Sequence, residues 1–189
     1  MEQPWRPTRA QVEAARGRPV PDVIATGLRV VFCGINPSLY SAAVGHHFAR
    51  PGNRFWPALR GAGFTDRLLS PFEDAMLVAH GLGCTNLVEG ATARADEVEP
   101  AELRAGAARL AERLRRHRPA WLAVLGVGAY RLAFDRPGAA LGPQPERLGA
   151  TAVWVLPNPS GLNAHYQLPA LVARLAELRT AAFDGGRGR

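Results

Sequence analysis

Leu28-Arg-Val-Val-Phe-Cys33-Gly34-Ile35-Asn36-Pro37-Ser38 is an apolar run that stops at a glycine and turns polar. β-Branched and aromatic residues at this density, with a single charge among them, predict a strand from Leu28 to Cys33 buried on both faces. The pattern recurs along the chain. Gly83 to Val88 predicts a second short strand. Trp121-Leu-Ala-Val-Leu125 predicts a third, ended by Gly126, and Ala152-Val-Trp-Val-Leu156 a last one, stopped by Pro157. Helical patterns separate them. From Pro100 to His117, Leu103, Ala107, Leu110 and Leu114 fall on one helical face. Leu168, Leu171, Val172, Leu175 and Leu178 align along a closing helix. Shorter helices are expected over 54–61, capped by Asn53, and over 129–134. Apolar strands alternating with amphipathic helices predict an α/β fold: a single three-layer αβα domain with a short, mostly parallel central sheet. Ligands of such sheets bind beyond the carboxyl ends of the strands. The loops after Cys33, Val88, Leu125 and Leu156 are therefore the ones to search.

Outside these elements the sequence is less regular. Residues 1–22 read as a basic, Pro-rich extended arm with a short helix around Val12–Arg16. Residues 36–52 and 136–150 read as long loops rich in turn formers, and 184–189 as a disordered tail, leaving 23–183 as the folded domain. The chain of 189 residues is 47% hydrophobic, enough for one core. Its formal charge is +7, its pI about 10.8, and all 23 basic residues are arginine. Such a balance suits a polyanionic partner such as nucleic acid, although an arginine-rich solvated surface carries the same charge. Two cysteines cannot supply the four thiolates of an iron–sulfur cluster. The adjacent His46 and His47 point apart and have no metal-ligand spacing around them, so they read as loop or phosphate contacts and no metal site is expected. No apolar run reaches membrane-spanning length and no signal peptide is visible, so a cytoplasmic protein without membrane attachment is expected.

Two of the strand-end loops carry related chemistry. One is Gly34-Ile35-Asn36-Pro37-Ser38; the other is Pro157-Asn158-Pro159-Ser160-Gly161-Leu162-Asn163. A single Asn-Pro-Ser turn is ordinary. Two, each directly after a buried strand, suggest a paired site.

On these residues the chain resembles the mismatch-specific uracil-DNA glycosylases, the bacterial relatives of thymine-DNA glycosylase. The first loop matches that family's Gly-Ile-Asn-Pro motif, with Ser38 where glycine is usual. The second matches its Asn-Pro-Ser-Gly-Leu wedge, with Asn163 where serine is commoner. Phe48-Ala-x-Pro-x-Asn-Arg-Phe-Trp56, Gly61-x-Gly-Phe-Thr65, Thr85-Asn-Leu-Val88 and Ala95-Asp-Glu-Val98 also fit, and the resemblance runs from about Leu28 to the last helix.

The resemblance implies a monofunctional glycosylase of base excision repair, located in the bacterial cytoplasm at the nucleoid. It would flip uracil from a G:U mismatch and hydrolyse its N-glycosidic bond, leaving an abasic site. A lyase step is not expected, because no lysine is present to form a Schiff base. Asn36 would hold the attacking water, Ile35, Phe48 and Asn158 would contact the flipped base, and Gly161, Leu162 and Asn163 would enter the duplex and meet the opposite guanine. Phe48 also reads as an ordinary core aromatic, and Leu162 as packing at a helix start. Asp96 reads as a second catalytic residue that acts as base, or else as a helix cap or a solvated acid. Arg50 and Arg54 are candidate phosphate contacts. No cofactor is implied. The expected partner is duplex DNA holding G:U or related mismatches, with single-stranded DNA open as a second substrate and the protein acting as a monomer.

Overall fold

The computed structural model describes residues 5–184. Five strands form one sheet: β1 (Val30–Gly34), β2 (Leu82–Asn86), β3 (Trp121–Leu125), β4 (Gly142–Leu148) and β5 (Thr151–Leu156), in the order β2-β1-β3-β5-β4. The β1–β2, β1–β3 and β3–β5 pairs are parallel, and β4 runs antiparallel to β5. The apolar strands sort their side chains with period two. Val30, Phe32, Ala123, Leu125, Trp154 and Leu156 face one side of the sheet. There they join α3 (Phe55–Gly61) and α6 (Leu168–Arg179). Cys33, Leu122, Val124, Val153 and Val155 face the other, against α4 (Pro100–His117) and α5 (Val127–Ala133). This is the three-layer α/β arrangement expected. The chain leaves β1 toward β2 and leaves β3 toward β5, so the sheet reverses its winding between β1 and β3. A crevice opens at their carboxyl ends.

Three segments differ from the sequence reading. Residues 36–52 are not all loop. Ser38 caps a helix α2 (Leu39–Val44), its Oγ accepting from Ser41 N–H at 3.1 Å, and Gly45 ends it in the left-handed region. The serine that departs from the family's glycine is thus a helix cap. Residues 136–150 contain β4, whose Pro143 and Pro145 read as breakers. Proline is tolerated there because β4 is an edge strand with an irregular register between Pro143 and Arg147.

The N-terminal segment is not a free arm. Thr8 caps a short helix α1 (Arg9–Glu13) through a capping box. Ala15 and Val20 are then buried against Leu39, Ala42 and Ala91. Main-chain bonds join Gly17 to Ala91 and Ala91 to Arg18. Asp22 pairs with Arg113 of α4 at 2.7 Å and accepts from Thr85 Oγ at 2.6 Å. At the other end, a π turn continues α6 through Asp184. The tail reading over 185–189 lies outside the described residues.

Candidate active site

The crevice is a cleft of about 400 Å³. Ile35, Asn36, Phe48, Arg50, Asp96, Asn158, Leu162 and Asn163 all line it, so eight of the ten residues singled out from sequence meet in one place. The two that do not line it, Arg54 and Gly161, lie directly behind its wall.

Asn36 follows β1. Its Nδ2 donates to Gly90 O at 3.1 Å and to Thr92 Oγ1 at 2.7 Å. A carbonyl can only accept, so the amide orientation is chemically determined. Thr92 passes its own proton to Arg94 O at 2.6 Å. The chain Asn36→Thr92→Arg94 spends the donor side of the amide on the protein, and Oδ1 accepts no bond among the described residues. The loop itself is pinned by β1–β2 pairing that continues past the strands: Leu87 N–H to Gly34 O and Val88 N–H to Ile35 O, both at 2.9 Å.

Phe48 sits in a left-handed backbone, φ 53°. A non-glycine residue there costs of order 1–3 kcal/mol, which surrounding structure must offset. Four groups do so. Asp74, from the 3-10 segment Pro71–His80, accepts His47 N–H at 3.1 Å. Ser41 Oγ accepts Ala49 N–H at 3.0 Å. Trp56 Nε1 donates to His47 O at 3.3 Å, and the His47 ring bonds Pro21 O at 3.0 Å. The Phe48 ring stacks on Phe55, centroids 4.1 Å apart. Half-buried, it keeps exposed surface in the cleft. The adjacent histidines are therefore not loose loop residues. His47 is buried, and burial holds its imidazole below the ordinary histidine range. His46 bonds Asp74 at 3.1 Å. The described residues contain no cluster of three or more metal-ligating side chains.

Asp96 lies in a 3-10 turn at the rim, 62% exposed, paired through one oxygen with Arg94. Asn158 uses Oδ1 to close its own turn on Ser160 N–H at 2.9 Å, which leaves its Nδ2 for a ligand. Asn163 is spent on the loop: Nδ2 donates to Asn158 O at 2.9 Å and Oδ1 accepts from His165 N–H at 3.1 Å. Gly161 cannot carry a side chain, because a Cβ would lie 2.6 Å from Gly52 O. Beside it Leu162 projects 66% exposed at the cleft mouth, outside the hydrophobic clusters of the core. It is not helix-start packing, since α6 begins six residues later.

Arg50 is exposed at the rim. Arg54 is not placed as a phosphate ligand: its guanidinium donates to the carbonyls of Ser160, Gly161, Asn163 and Tyr166. Asn86 received no role from sequence, yet it ends β2 inside the cleft. A Cβ on Gly34 would meet its Oδ1 at 2.5 Å. The side-chain amide, with donor and acceptor edges, makes no hydrogen bond among the described residues. The signal available in sequence was a polar amide closing an otherwise small and apolar strand.

Fold and cleft together define a class, the three-layer α/β proteins that take a ligand at the carboxyl ends of their strands, where the sheet reverses its winding. The comparison with protein families agrees: the model of the uracil DNA glycosylase superfamily matches residues 21–180. The chain belongs to that superfamily, whose members are DNA glycosylases of DNA repair. Among the described residues no helix is long and apolar enough to cross a membrane.

Proposed function

We propose that the protein is a monofunctional glycosylase that flips uracil out of G:U mismatches in duplex DNA. The observation that carries this reading is Leu162, an exposed apolar side chain on a hydrogen-bonded loop beside the cleft that holds Asn36. An apolar wedge fills the gap an extruded nucleotide leaves and offsets part of the few kcal/mol that flipping costs. An enzyme acting on free nucleosides has no use for it.

In the cleft, the flipped base stacks on the open surface of the Phe48 ring. The C1′–N1 bond breaks with its electron pair going to N1, which leaves a uracil anion and an oxocarbenium-like sugar. A water held by Asn36 Oδ1 adds its oxygen to C1′. The amide orients this water but cannot take its proton at neutral pH, so the proton leaves to the departing anion or to Asp96. Asn36 is therefore the principal residue, through position, and Asp96 remains the second candidate as base.

The test is single-turnover excision from oligonucleotides carrying one uracil, opposite guanine, opposite adenine or unpaired, run in chelator and followed by alkaline cleavage. Cleavage is expected fastest at G:U, unaffected by the chelator, and slower for Leu162→Ala on duplex than on single strands. Equal rates on G:U and A:U duplexes would remove the mismatch preference. Equal losses for Leu162→Ala on duplex and single strand would remove the wedge.

A further inference from the structure

We infer that Arg54 is the positioning residue of the wedge: a guanidinium staple that holds the loop 157–166 closed so that Leu162 stands ready before DNA arrives. The inference rests on the wedge reading above and extends it to a residue that touches neither base nor sugar.

The geometry is specific. Nη1 shares its two protons among Ser160 O at 3.3 Å, Asn163 O at 2.9 Å and Tyr166 O at 3.1 Å, and Nη2 reaches Gly161 O at 3.3 Å. The main chain of the same residue adds a fifth link, Arg54 N–H to Pro159 O at 2.9 Å. All five acceptors are main-chain carbonyls of one segment, on both sides of Leu162. Arg54 is itself fixed at the start of α3, on the first turn below the Phe48 stack. From the opposite side Gly161 is pressed against Gly52 O, too close to admit a Cβ. The loop is thus held between the residues preceding α3 and the guanidinium, with no regular secondary structure of its own. An exposed leucine on an untethered loop of this length would lose conformational entropy on entering a duplex. A preformed loop has already lost it.

Arginine is required by this geometry. A planar fork can address several carbonyls at once, whereas a lysine ammonium is a point charge on a flexible stem. A phosphate ligand has the opposite tolerance, because lysine serves it nearly as well. The two roles therefore separate on one conservative substitution.

The experiment measures single-turnover excision of uracil from a G:U duplex and from a single strand, for Arg54→Lys, Arg54→Ala, Leu162→Ala and the double variant Arg54→Ala/Leu162→Ala. Each protein is checked for its fold by circular dichroism. Both Arg54 variants are expected to lose at least about tenfold on duplex and less than about twofold on single strands, and Arg54→Ala to cost less than about twofold once Leu162 is gone, because residues acting through one another are not additive. The salt dependence of binding is expected to keep its slope; a phosphate ligand would lower it by about one. Wild-type duplex activity in Arg54→Lys, or a reduced slope, would overturn the inference in favour of phosphate binding. So would a duplex-selective Arg54 loss that adds in full to that of Leu162→Ala, and this result would leave the wedge itself standing. A Leu162→Ala variant that fails to discriminate strands removes the wedge and the inference together. Should both Arg54 variants fail to fold, Gly161→Ala displaces the same loop from the Gly52 side, and an undiminished duplex preference there counts against a preformed wedge.

Discussion

At the scale of single residues, the site depends on which end of an amide is left over. Asn36 donates from Nδ2 to Gly90 and Thr92, so its oxygen is the end available to water. Asn36→Ala is expected to cut the single-turnover rate by at least about tenfold, about 1.4 kcal/mol of barrier, with little change in melting temperature. Asp96 offers the contrasting case. If it takes the water's proton, Asp96→Ala lowers the single-turnover rate and leaves the melting temperature unchanged. If its tie to Arg94 only shapes the rim, the rate stays near that of the wild type. Single-turnover rates and melting temperatures for wild type and both variants distinguish the two, and a near-wild-type rate for Asn36→Ala would overturn the assignment of Asn36. That Asn36 lies at the strand end in the cleft was readable from sequence, because it sits in a motif after a predicted strand. Arg54 was singled out as a phosphate contact, but its tie to the loop was not readable, because main-chain carbonyls leave no mark in a sequence and every partner lies more than a hundred positions away.

At the scale of elements, the Phe48 turn shows how a strained residue is maintained. Its clamps come from α2, α3, the N-terminal segment and the 3-10 segment bearing Asp74. Asp74 is 5% exposed, and removing it strands the buried N–H of His47. An unsatisfied buried donor costs about 1–3 kcal/mol, so Asp74→Ala is expected to lower unfolding free energy by that order in urea titration. It should also slow excision, by letting Phe48 relax out of its stack on Phe55. Unchanged stability would show that water replaces the carboxylate. The elements that could be read in advance were those with a single strong period: Val30 to Cys33 buried on both faces, and α4, whose Leu103, Leu110 and Leu114 define one stripe. β4 escaped because Pro143 and Pro145 look like loop residues until an edge position makes them acceptable. The docking of the N-terminal segment escaped because it rests on two isolated small apolar residues, Ala15 and Val20, and on pairings with partners far along the chain.

At the scale of the whole molecule, a +7 chain whose cations are all arginine should bind DNA largely through phosphates. Affinity for a G:U duplex is expected to fall linearly on a log–log plot against salt, with a slope of several units, measured by fluorescence anisotropy; a flat plot would argue against phosphate contacts. The same molecule has a reactivity profile suited to spectroscopy. Cys33 and Cys84 are its two thiols, both fully buried and both pushed far above the ordinary thiol range by burial. Thiolates are what alkylating dyes capture. A maleimide fluorophore therefore needs no cysteine-free background: in a Leu162→Cys variant it attaches at the loop tip alone. The dye then reports, from the mouth of the cleft, each arrival at and departure from DNA.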